Sequence, residues 1–275
     1  MRRHIITLTA IPPRFDRLGP ALHSLLRQSV PAEAIRLYIP MRYRRFPDWD
    51  GRLPEVPEGV EIRRVEEDFG PATKLLPALK EFAGEDVEIL FCDDDMIAPK
   101  HWARRFLRER EAQPDACLCV CGWDTPESAG ADRPMPRAER NPVTFDMLYH
   151  LRWMIRWIAL KMGAERGFIG RYQFRKGGHI DVFEGFGGVM VRPDFFGDRV
   201  FDIPAEAFAV DDVWLSGMAM VSGHPTWAMA HAPQPSAGPG SGRAALLTTV
   251  IEGAGRDESN LAAVSYLQRE FGIWS

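Results

Sequence analysis

In the first part of the chain, short apolar runs alternate with segments in which apolar residues recur at helical spacing. Apolar runs predict strands over residues 4–10, 35–39 and 87–92, and a further strand is predicted over 60–65. Leucines recur at 18, 22, 25 and 26, which predicts a helix over 18–28, and a second helix is expected over 74–82. Strands that alternate with helices predict an α/β sandwich built on a mostly parallel sheet with right-handed crossovers.

The remaining pattern continues this α/β alternation with longer interruptions. Helices are predicted over 102–111, 145–161, 211–221 and 257–271, and strands over 116–123 and 189–191. Loops rich in Pro, Gly and charged residues are expected over 40–58 and 124–141. A Pro/Gly/Ser stretch over 233–242 is long enough to predict a mobile loop.

The composition indicates a globular protein without a membrane span. The 275 residues are 45% hydrophobic and 26% charged, and the formal net charge of −4 argues against general nucleic-acid binding. No apolar run approaches the roughly 20 residues of a membrane helix, and the apolar start of the chain is too short for a signal peptide. These features predict a cytoplasmic protein, with the inner membrane face as an alternative.

Cysteines are few and three of them alternate along one predicted strand. Cys117, Cys119 and Cys121 are expected to point to the same face of the strand, and Cys92 lies elsewhere. One interpretation is a thiolate metal site, and the other is a buried strand in a reducing compartment. The absence of CxxC spacing favours the buried strand.

The acidic triplet Asp93-Asp94-Asp95 comes directly after the apolar run 87–92. Ligands bind at the carboxyl ends of parallel strands, so the triplet falls where such a fold carries its chemistry. Three crowded carboxylates repel one another, and Mg²⁺ or Mn²⁺ relieves that repulsion. The favoured hypothesis is a metal–diphosphate site, and the alternative is an acidic turn that caps the following helix.

Lys74 follows the loop Asp68-Phe69-Gly70-Pro71-Ala72-Thr73 and opens a predicted helix. Helix N-termini attract phosphate, and a lysine adds a positive charge there. By itself this pattern is more typical of an ordinary loop-to-helix junction. Its position one α/β unit before the acidic triplet favours phosphate binding.

Two further segments admit both a functional and a structural interpretation. Asp211-Asp212 opens a predicted helix, and paired carboxylates there fit either a tuned general base or favourable interaction with the helix dipole. Glycines in Glu184–Gly188 allow close approach of a ligand, but they equally fit a turn or a bulge.

The predicted helix 145–161 carries Trp153 and Trp157 one turn apart, with Arg152, Arg156 and Lys161 beside them. Core packing with basic residues reaching out to solvent is the favoured interpretation, and a membrane surface or acceptor contact is the alternative. Among the histidines, His224 and His231 follow the acidic pair and are the preferred third metal ligands or phosphate contacts.

Taken in order, these segments resemble metal-dependent, nucleotide-sugar glycosyltransferases of the GT-A fold, close to the family-2-type bacterial enzymes. Residues 6–14 look like their first strand and nucleotide-binding loop, and residues 70–74 are similar to the helix that contacts the nucleotide diphosphate. Residues 91–95 look like their DxD motif, residues 185–188 resemble a Gly-rich acceptor-side segment, and residues 211–213 resemble the motif that supplies the catalytic base.

The resemblance implies a three-layer GT-A domain over residues 1–275, with a nucleotide-sugar half (1–123) and an acceptor half (124–275). It implies that Mn²⁺ or Mg²⁺ is bound by Asp93 and Asp95, with His231 as our candidate third ligand, and that Asp212, or Asp211, is the base. The residues expected to contact the donor are Thr9, Arg14, Asp68, Lys74, Asp94, Gly187 and Gly188. The segment 233–256, with Arg243 and Arg256, is expected to close over the donor.

The implied activity is transfer of one sugar, by a hexosyltransferase-type reaction with inversion, from a UDP-linked donor to a hydroxyl of a glycan, lipid-linked or other acceptor. The Gln-x-x-Arg-Trp signature of processive synthases is missing, which favours transfer of a single sugar. The alternatives are a sugar-phosphate nucleotidyltransferase and a non-catalytic nucleotide-binding module of the same fold. Residues 10–14 lack the Gly-rich loop typical of nucleotidyltransferases.

Overall fold

The computed structural model describes residues 2–126, 133–142, 147–162, 171–240 and 256–275, apart from the side chains of residues 148, 160 and 256. Arg243, the side chain of Arg256 and most of the predicted closing segment therefore lie outside the described residues. The helices are α1 (Gly19–Leu26), α2 (Leu76–Glu81), α3 (Trp102–Ala112), α4 (Met147–Lys161), α5 (Asp211–Val221) and α6 (Arg256–Phe271).

The strands are short, and many contain only two or three residues. They are β1 (His4–Thr9), β2 (Ala34–Pro40), β3 (Val60–Val65), β4 (Glu88–Phe91), β5 (Met96–Ile97), β6 (Cys117–Cys119), β7 (Gly122–Trp123), β8 (Glu139–Arg140), β9 (Phe174–Lys176), β10 (Gly178–Ile180), β11 (Val182–Phe183), β12 (Val189–Val191), β13 (Thr226–Ala228) and β14 (Ser236–Ala237). The predicted helix 74–82 is a 3₁₀ turn at Gly70–Lys74 followed by α2.

An eight-stranded sheet forms the centre of the molecule, in the order β10-β13-β6-β12-β4-β1-β2-β3. Strands β4, β1, β2 and β3 are parallel neighbours, and so are β13 and β6. Strand β12 runs antiparallel to both β4 and β6, and β10 runs antiparallel to β13. The predicted α/β architecture with a mostly parallel sheet is confirmed, and the sheet takes strands from both halves of the chain.

Alternation along the strands divides the interior into two cores, one on each face of the sheet. In β1, Ile5 belongs to one core, whereas Ile6 belongs to the other, because successive side chains of a strand point to opposite faces. Buried residues of α2, α5 and α6 cover the first face, and those of α1 and α3 cover the second. Three layers result, as the sequence predicts.

The cysteine-rich strand is shorter than its sequence predicts. Strand β6 ends at Cys119, and the chain then joins a separate two-stranded sheet of β7 and β11. Cys117 and Cys119 pack in one core while Cys121 packs in the other, so the prediction that all three thiols share a face is wrong. Burial raises the pKa of the Cys117 thiol to about 12 and that of Cys119 well above its ordinary value. Neutral buried thiols fit the interpretation as a buried strand.

A buried arginine ties α3 to the central sheet. Arg110 is fully buried, and its Nε donates to Glu88 Oε2 at 2.9 Å. Its other nitrogens donate to several backbone carbonyls, among them those of Ala116 and Met190 at 2.6 and 3.1 Å. Because these contacts satisfy the buried charge, the arginine joins β4, β12 and the start of β6 from one helix.

Helix α4 has the predicted position but not the favoured environment. Most of its described side chains are exposed, including Trp153 and Trp157 at 54% and 49%. The interpretation that these residues pack in the core is therefore wrong, because no described element covers this helix. Among the described residues, we find no helix that is both long and apolar enough to span a bilayer.

His4 makes stability depend on pH, and the direction follows from its burial. Burial lowers the pKa of His4 below its ordinary value of 6.5. Below pH 6.5 the unfolded chain therefore binds more protons than the folded chain, so stability falls as the pH falls, by at most about 1.4 kcal/mol per pH unit. In urea denaturation between pH 8 and about pH 5, the free energy of unfolding is expected to fall less for His4→Gln than for wild type. Equal slopes of the free energy of unfolding against pH for the two proteins would contradict this expectation. The matched control is His23→Gln, because His23 is exposed.

Candidate functional site

The carboxyl ends of two neighbouring strands bring the acidic triplet and a basic turn together. Asp93, Asp94 and Asp95 follow β4, and Arg14 lies in a 3₁₀ turn, Pro12–Arg17, that follows β1. Because β1 and β4 are parallel neighbours, both connections emerge at the same edge of the sheet. The N-terminus of α5 and the turn at Gly70–Lys74 pack at this edge as well, which completes the candidate site.

Lys74 is the buried centre of the site. Its Nζ donates to Asp93 Oδ1 at 2.7 Å, and it lies 3.0 Å from Asp211 Oδ2 and 3.7 Å from Asp212 Oδ1. Burial alone would lower the pKa of Lys74, but the three carboxylates raise it well above its ordinary value. The ammonium group is therefore held charged, and it joins the acidic triplet to the acidic pair of α5.

Arg14 holds the other two members of the triplet. Its guanidinium lies 2.6 Å from Asp94 Oδ1 and 3.2 Å from Asp95 Oδ2. Burial raises the pKa of Asp94 to about 7, with a further contribution from Asp95, and the opposing effect of Arg14 does not cancel this rise. Burial, together with the charge of Asp93, also raises the pKa of Asp95. The protein thus concentrates more negative charge here than its own cations stabilise.

The carboxylates of the site fit a hard divalent cation only if a bound molecule supplies part of the metal's coordination shell. The five aspartates, when ionised, carry five negative charges against two on Lys74 and Arg14, and Asp94 Oδ2 is buried without a hydrogen bond. Carboxylate oxygens are the ligands that Mg²⁺ and Mn²⁺ prefer. Among the described residues, however, no three His, Cys, Asp or Glu side chains are grouped so as to hold a metal. Donor phosphates and water would have to complete the shell.

His231 is not grouped with Asp93 and Asp95 in the described part of the chain, and its role as a third metal ligand stays a prediction. Its backbone N–H donates to the Phe174 carbonyl at 3.0 Å, and its ring lies against Tyr172 with centroids 6.1 Å apart. Its backbone has a φ of 49°, which turns the chain after β13. These contacts fix His231 on the β9 side, so no three-ligand group with Asp93 and Asp95 forms in the described structure.

The acidic pair of α5 is buried and anchored to a glycine of the Glu184–Gly188 segment. Gly185 N–H donates to Asp212 Oδ1 at 3.0 Å. A Cβ at Gly185 would lie 2.3 Å from Lys74 Nζ, so a larger residue would displace the ammonium group. The absence of a side chain at Gly185 therefore allows Lys74 and Asp212 to approach each other.

Gly187 and Gly188 lie against protein side chains. A Cβ at Gly187 would lie 2.8 Å from Cys121 Sγ, and one at Gly188 would lie 2.1 Å from the Trp102 ring. Trp102 Nε1 also donates to the Gly187 carbonyl at 2.9 Å. This packing accounts for both glycines as parts of a tight turn, and it fixes the loop that carries Gly185.

Gly188→Ala is expected to lower the free energy of unfolding more than the matched change Gly223→Ala. Both glycines have positive φ, 90° and 86°, but nothing lies within 4 Å of a Cβ at Gly223. Backbone strain alone costs about 1–2 kcal/mol at Gly223, and the clash with Trp102 adds about 1–3 kcal/mol at Gly188. Urea denaturation of both variants measures the difference. Equal losses would show that Trp102 yields without cost.

Thr9 and Asp68 lie near the same edge, but their described contacts shape the backbone. Thr9 Oγ1 donates to the Tyr38 carbonyl at 2.8 Å. Asp68 accepts the Arg44 N–H at 2.7 Å and the Gly70 N–H at 2.8 Å, one with each carboxylate oxygen. Asp68 therefore fixes the turn that presents Lys74.

One neighbour of the triplet has no clear signal in the sequence. Strand β14 pairs with β5, and Gly238 N–H donates to the Asp95 carbonyl at 2.7 Å. The first residues of the predicted closing segment are therefore anchored beside the acidic triplet. Residues 241–255, including Arg243, lie outside the described part of the chain.

No family model matches the sequence, and no curated protein matches it. Among solved structures, the chain is similar to S. aureus TarS at 12% identity and a TM-score of 0.43, covering 86% of this chain and 36% of that one. It is also similar to S. aureus TarS 1-349, at 13% identity and a TM-score of 0.45, over 99% of this chain and 72% of that one. The similarity to S. aureus TarS 1-349 in complex with UDP-GlcNAc is at 12% identity and a TM-score of 0.44, over 86% of this chain and 58% of that one. The chain thus spans about a third of the TarS chain.

Proposed function

We propose that this protein is a metal-dependent glycosyltransferase of the GT-A type, which transfers one sugar from a nucleotide-diphosphate sugar to an acceptor hydroxyl. The observation that carries the proposal is the position of Lys74, whose Nζ joins Asp93 to Asp211 and Asp212. A donor-side carboxylate and the candidate bases thereby share one site at the edge of the sheet. The resemblance of the sequence motifs implies a UDP-linked donor.

On the donor side, Asp93 and Asp95 are the residues that would hold Mn²⁺ or Mg²⁺. The metal, when bound, supplies Lewis-acid stabilisation of the departing nucleotide diphosphate. Asp93 is the most exposed of the three, with a side chain 34% accessible, against 5% for Asp94 and 15% for Asp95. We therefore assign Asp94 the role of holding Arg14, and we assign contacts with the ion to its two neighbours.

On the acceptor side, we assign the general base to Asp212. Its side chain is more accessible than that of Asp211, at 12% against 5%, and it lies farther from Lys74. Asp212 takes the proton of the acceptor hydroxyl as the oxygen attacks the anomeric carbon. The new bond forms between that oxygen and the anomeric carbon while the carbon–phosphate-oxygen bond breaks, so a single displacement inverts the configuration.

Lys74 acts in this scheme as a positioning residue. Its ammonium group is enclosed by Asp93, Asp211 and Asp212, so it orients these carboxylates and offsets their repulsion. This role replaces the direct phosphate contact that the loop sequence predicts. Arg14, at the neighbouring turn, is the cation better placed to meet the donor, since 13% of its side chain is accessible.

The proposal is tested by the product released from a panel of nucleotide sugars in the presence of Mn²⁺. Release of the nucleoside diphosphate, by transfer to an added sugar acceptor or to water, is the expected result. Pyrophosphate formed from a sugar phosphate and a nucleoside triphosphate would instead indicate a nucleotidyltransferase. Nucleotide binding without turnover of any donor would indicate a non-catalytic module.

A further inference from the structure

Helix α4 presents an apolar face that no described element covers. Met147, Leu151, Met154, Ile155 and Ile158 recur at the spacing i, i+4, i+7, i+8 and i+11, which aligns them along one side of the helix. Each of these side chains is between 47% and 76% exposed. We call these five residues the α4 apolar face. Exposure of so many large apolar side chains on one element marks an interaction surface.

The charges of α4 have a single sign. The helix carries Arg152, Arg156 and Lys161, and residues 147–161 contain no Asp or Glu. The chain as a whole has more acidic than basic residues, 38 against 34, so this segment departs from its surroundings. Trp153 and Trp157, both about half exposed, add the aromatic side chains that favour a membrane interface. The surface thus combines apolar, aromatic and cationic groups.

We propose that α4 binds the surface of an anionic lipid bilayer. The apolar face enters the boundary of the acyl chains, and the exposed residues Arg152 and Lys161 contact the lipid phosphates. At 1.5 Å per residue the helix is about 22 Å long, shorter than the roughly 30 Å hydrocarbon core, so it lies in the interface rather than across it. The proposal is independent of the glycosyltransferase assignment, because none of the site residues belongs to α4.

The basic residues of α4 favour a lipid surface over a second copy of this chain as its partner. Two copies that met through the α4 apolar face would bring Arg152 and Lys161 of both helices together, and α4 has no acidic residue to pair with them. Phosphate groups of an anionic bilayer neutralise the same cations. A lipid surface therefore complements both the apolar and the charged groups.

The experiment is sedimentation of the full chain with vesicles of phosphatidylcholine alone or mixed with phosphatidylglycerol. Wild type is expected to sediment with the mixed vesicles and much less with the neutral ones. The double variant Leu151→Glu, Ile155→Glu is expected to lose affinity by roughly tenfold or more for each side chain. Leu261→Glu is the matched control, because Leu261 is 50% exposed on α6, near Asp257 and Glu258, and binding should not change.

A second variant separates the charge from the apolar contact. Arg152→Gln with Lys161→Gln is expected to weaken binding to the mixed vesicles and to reduce its dependence on salt. The proposal would be overturned by absence of sedimentation, by equal binding to neutral vesicles, or by unchanged binding of the Glu variant. A concentration-dependent dimer that the Glu variant abolishes, without vesicle binding by wild type, would assign the face to a second copy. Nucleotide binding is measured separately, so that failure of the lipid-binding proposal can be distinguished from failure of the proposed glycosyltransferase function.

Discussion

Lys74→Met is expected to lower the free energy of unfolding by about 3–5 kcal/mol, among the largest effects of any single substitution here. Methionine keeps most of the volume of the lysine stem but removes its charge. Asp93, Asp211 and Asp212 then repel one another without the ammonium group that lies within 2.7 to 3.7 Å of them. Removing one member of a buried charge cluster leaves its partners uncompensated, which accounts for the size of the loss.

Urea denaturation at neutral pH measures this effect, with Lys100→Met as the control. Lys100 is exposed, and only its backbone carbonyl forms a described hydrogen bond, with Ser29 N–H. Its substitution should change stability by no more than about 0.5 kcal/mol. If both variants lost the same small amount, Lys74 would not be the counter-ion that organises the site.

Asp212→Asn is expected to reduce the turnover number by about 10²–10⁴-fold while donor binding changes little. The amide keeps the size of the side chain and its ability to accept the Gly185 N–H, but it cannot take up the proton of the acceptor. The measurement is the rate at which the nucleoside diphosphate is released under saturating donor and Mn²⁺. Donor affinity is determined in parallel by calorimetry.

Asp194→Asn is the matched control, because Asp194 is 66% exposed and contacts Arg192 on the surface. It should retain wild-type turnover. If Asp212→Asn remained active, or if Asp211→Asn were the variant that lost turnover, the base would have to be reassigned. Unfolding of Asp212→Asn is measured as well, so that loss of structure is not mistaken for loss of the base.

Elements with a strong repeat were predictable from the sequence. The strand at 60–65 and the helix at 211–221 have the predicted bounds in the structure. Strands β10 and β13 have three residues each, too few for an alternation to be recognised, and pairing within the sheet defines them. The same is true of β5 and β14, which anchor the chain beside Asp95.

The location of the candidate site was predictable, but its internal contacts were not. The order of apolar run and acidic triplet predicts Asp93, Asp94 and Asp95 at the carboxyl edge of the sheet, where they lie. The pairing of Lys74 with Asp211 depends on how α5 packs against the turn Gly70–Lys74, which no local pattern encodes. The ion pairs of Arg14 with Asp94 and Asp95 likewise depend on how the turn after β1 packs against the triplet, and the predicted nucleotide contact of Arg14 stays a prediction.

The environment of α4 shows a further limit of sequence patterns. Large apolar residues at helical spacing are typical of core packing, and the structure leaves the same residues exposed. The spacing of apolar residues predicts which side of a helix is apolar, but it does not predict what packs against that side. The absence of acidic residues from 147–161 is the signal that would have favoured a surface role.

The most direct test of the proposed function is calorimetric titration of a panel of nucleoside diphosphates, with and without Mn²⁺, on wild type and Asp95→Ala. We predict that one nucleotide binds wild type only with Mn²⁺ and that Asp95→Ala, folded by its thermal transition, loses this binding. Absence of binding by every nucleotide to folded wild type would contradict the glycosyltransferase account. Asp93, Asp94 and Asp95 would then form an acidic turn held by Lys74 and Arg14.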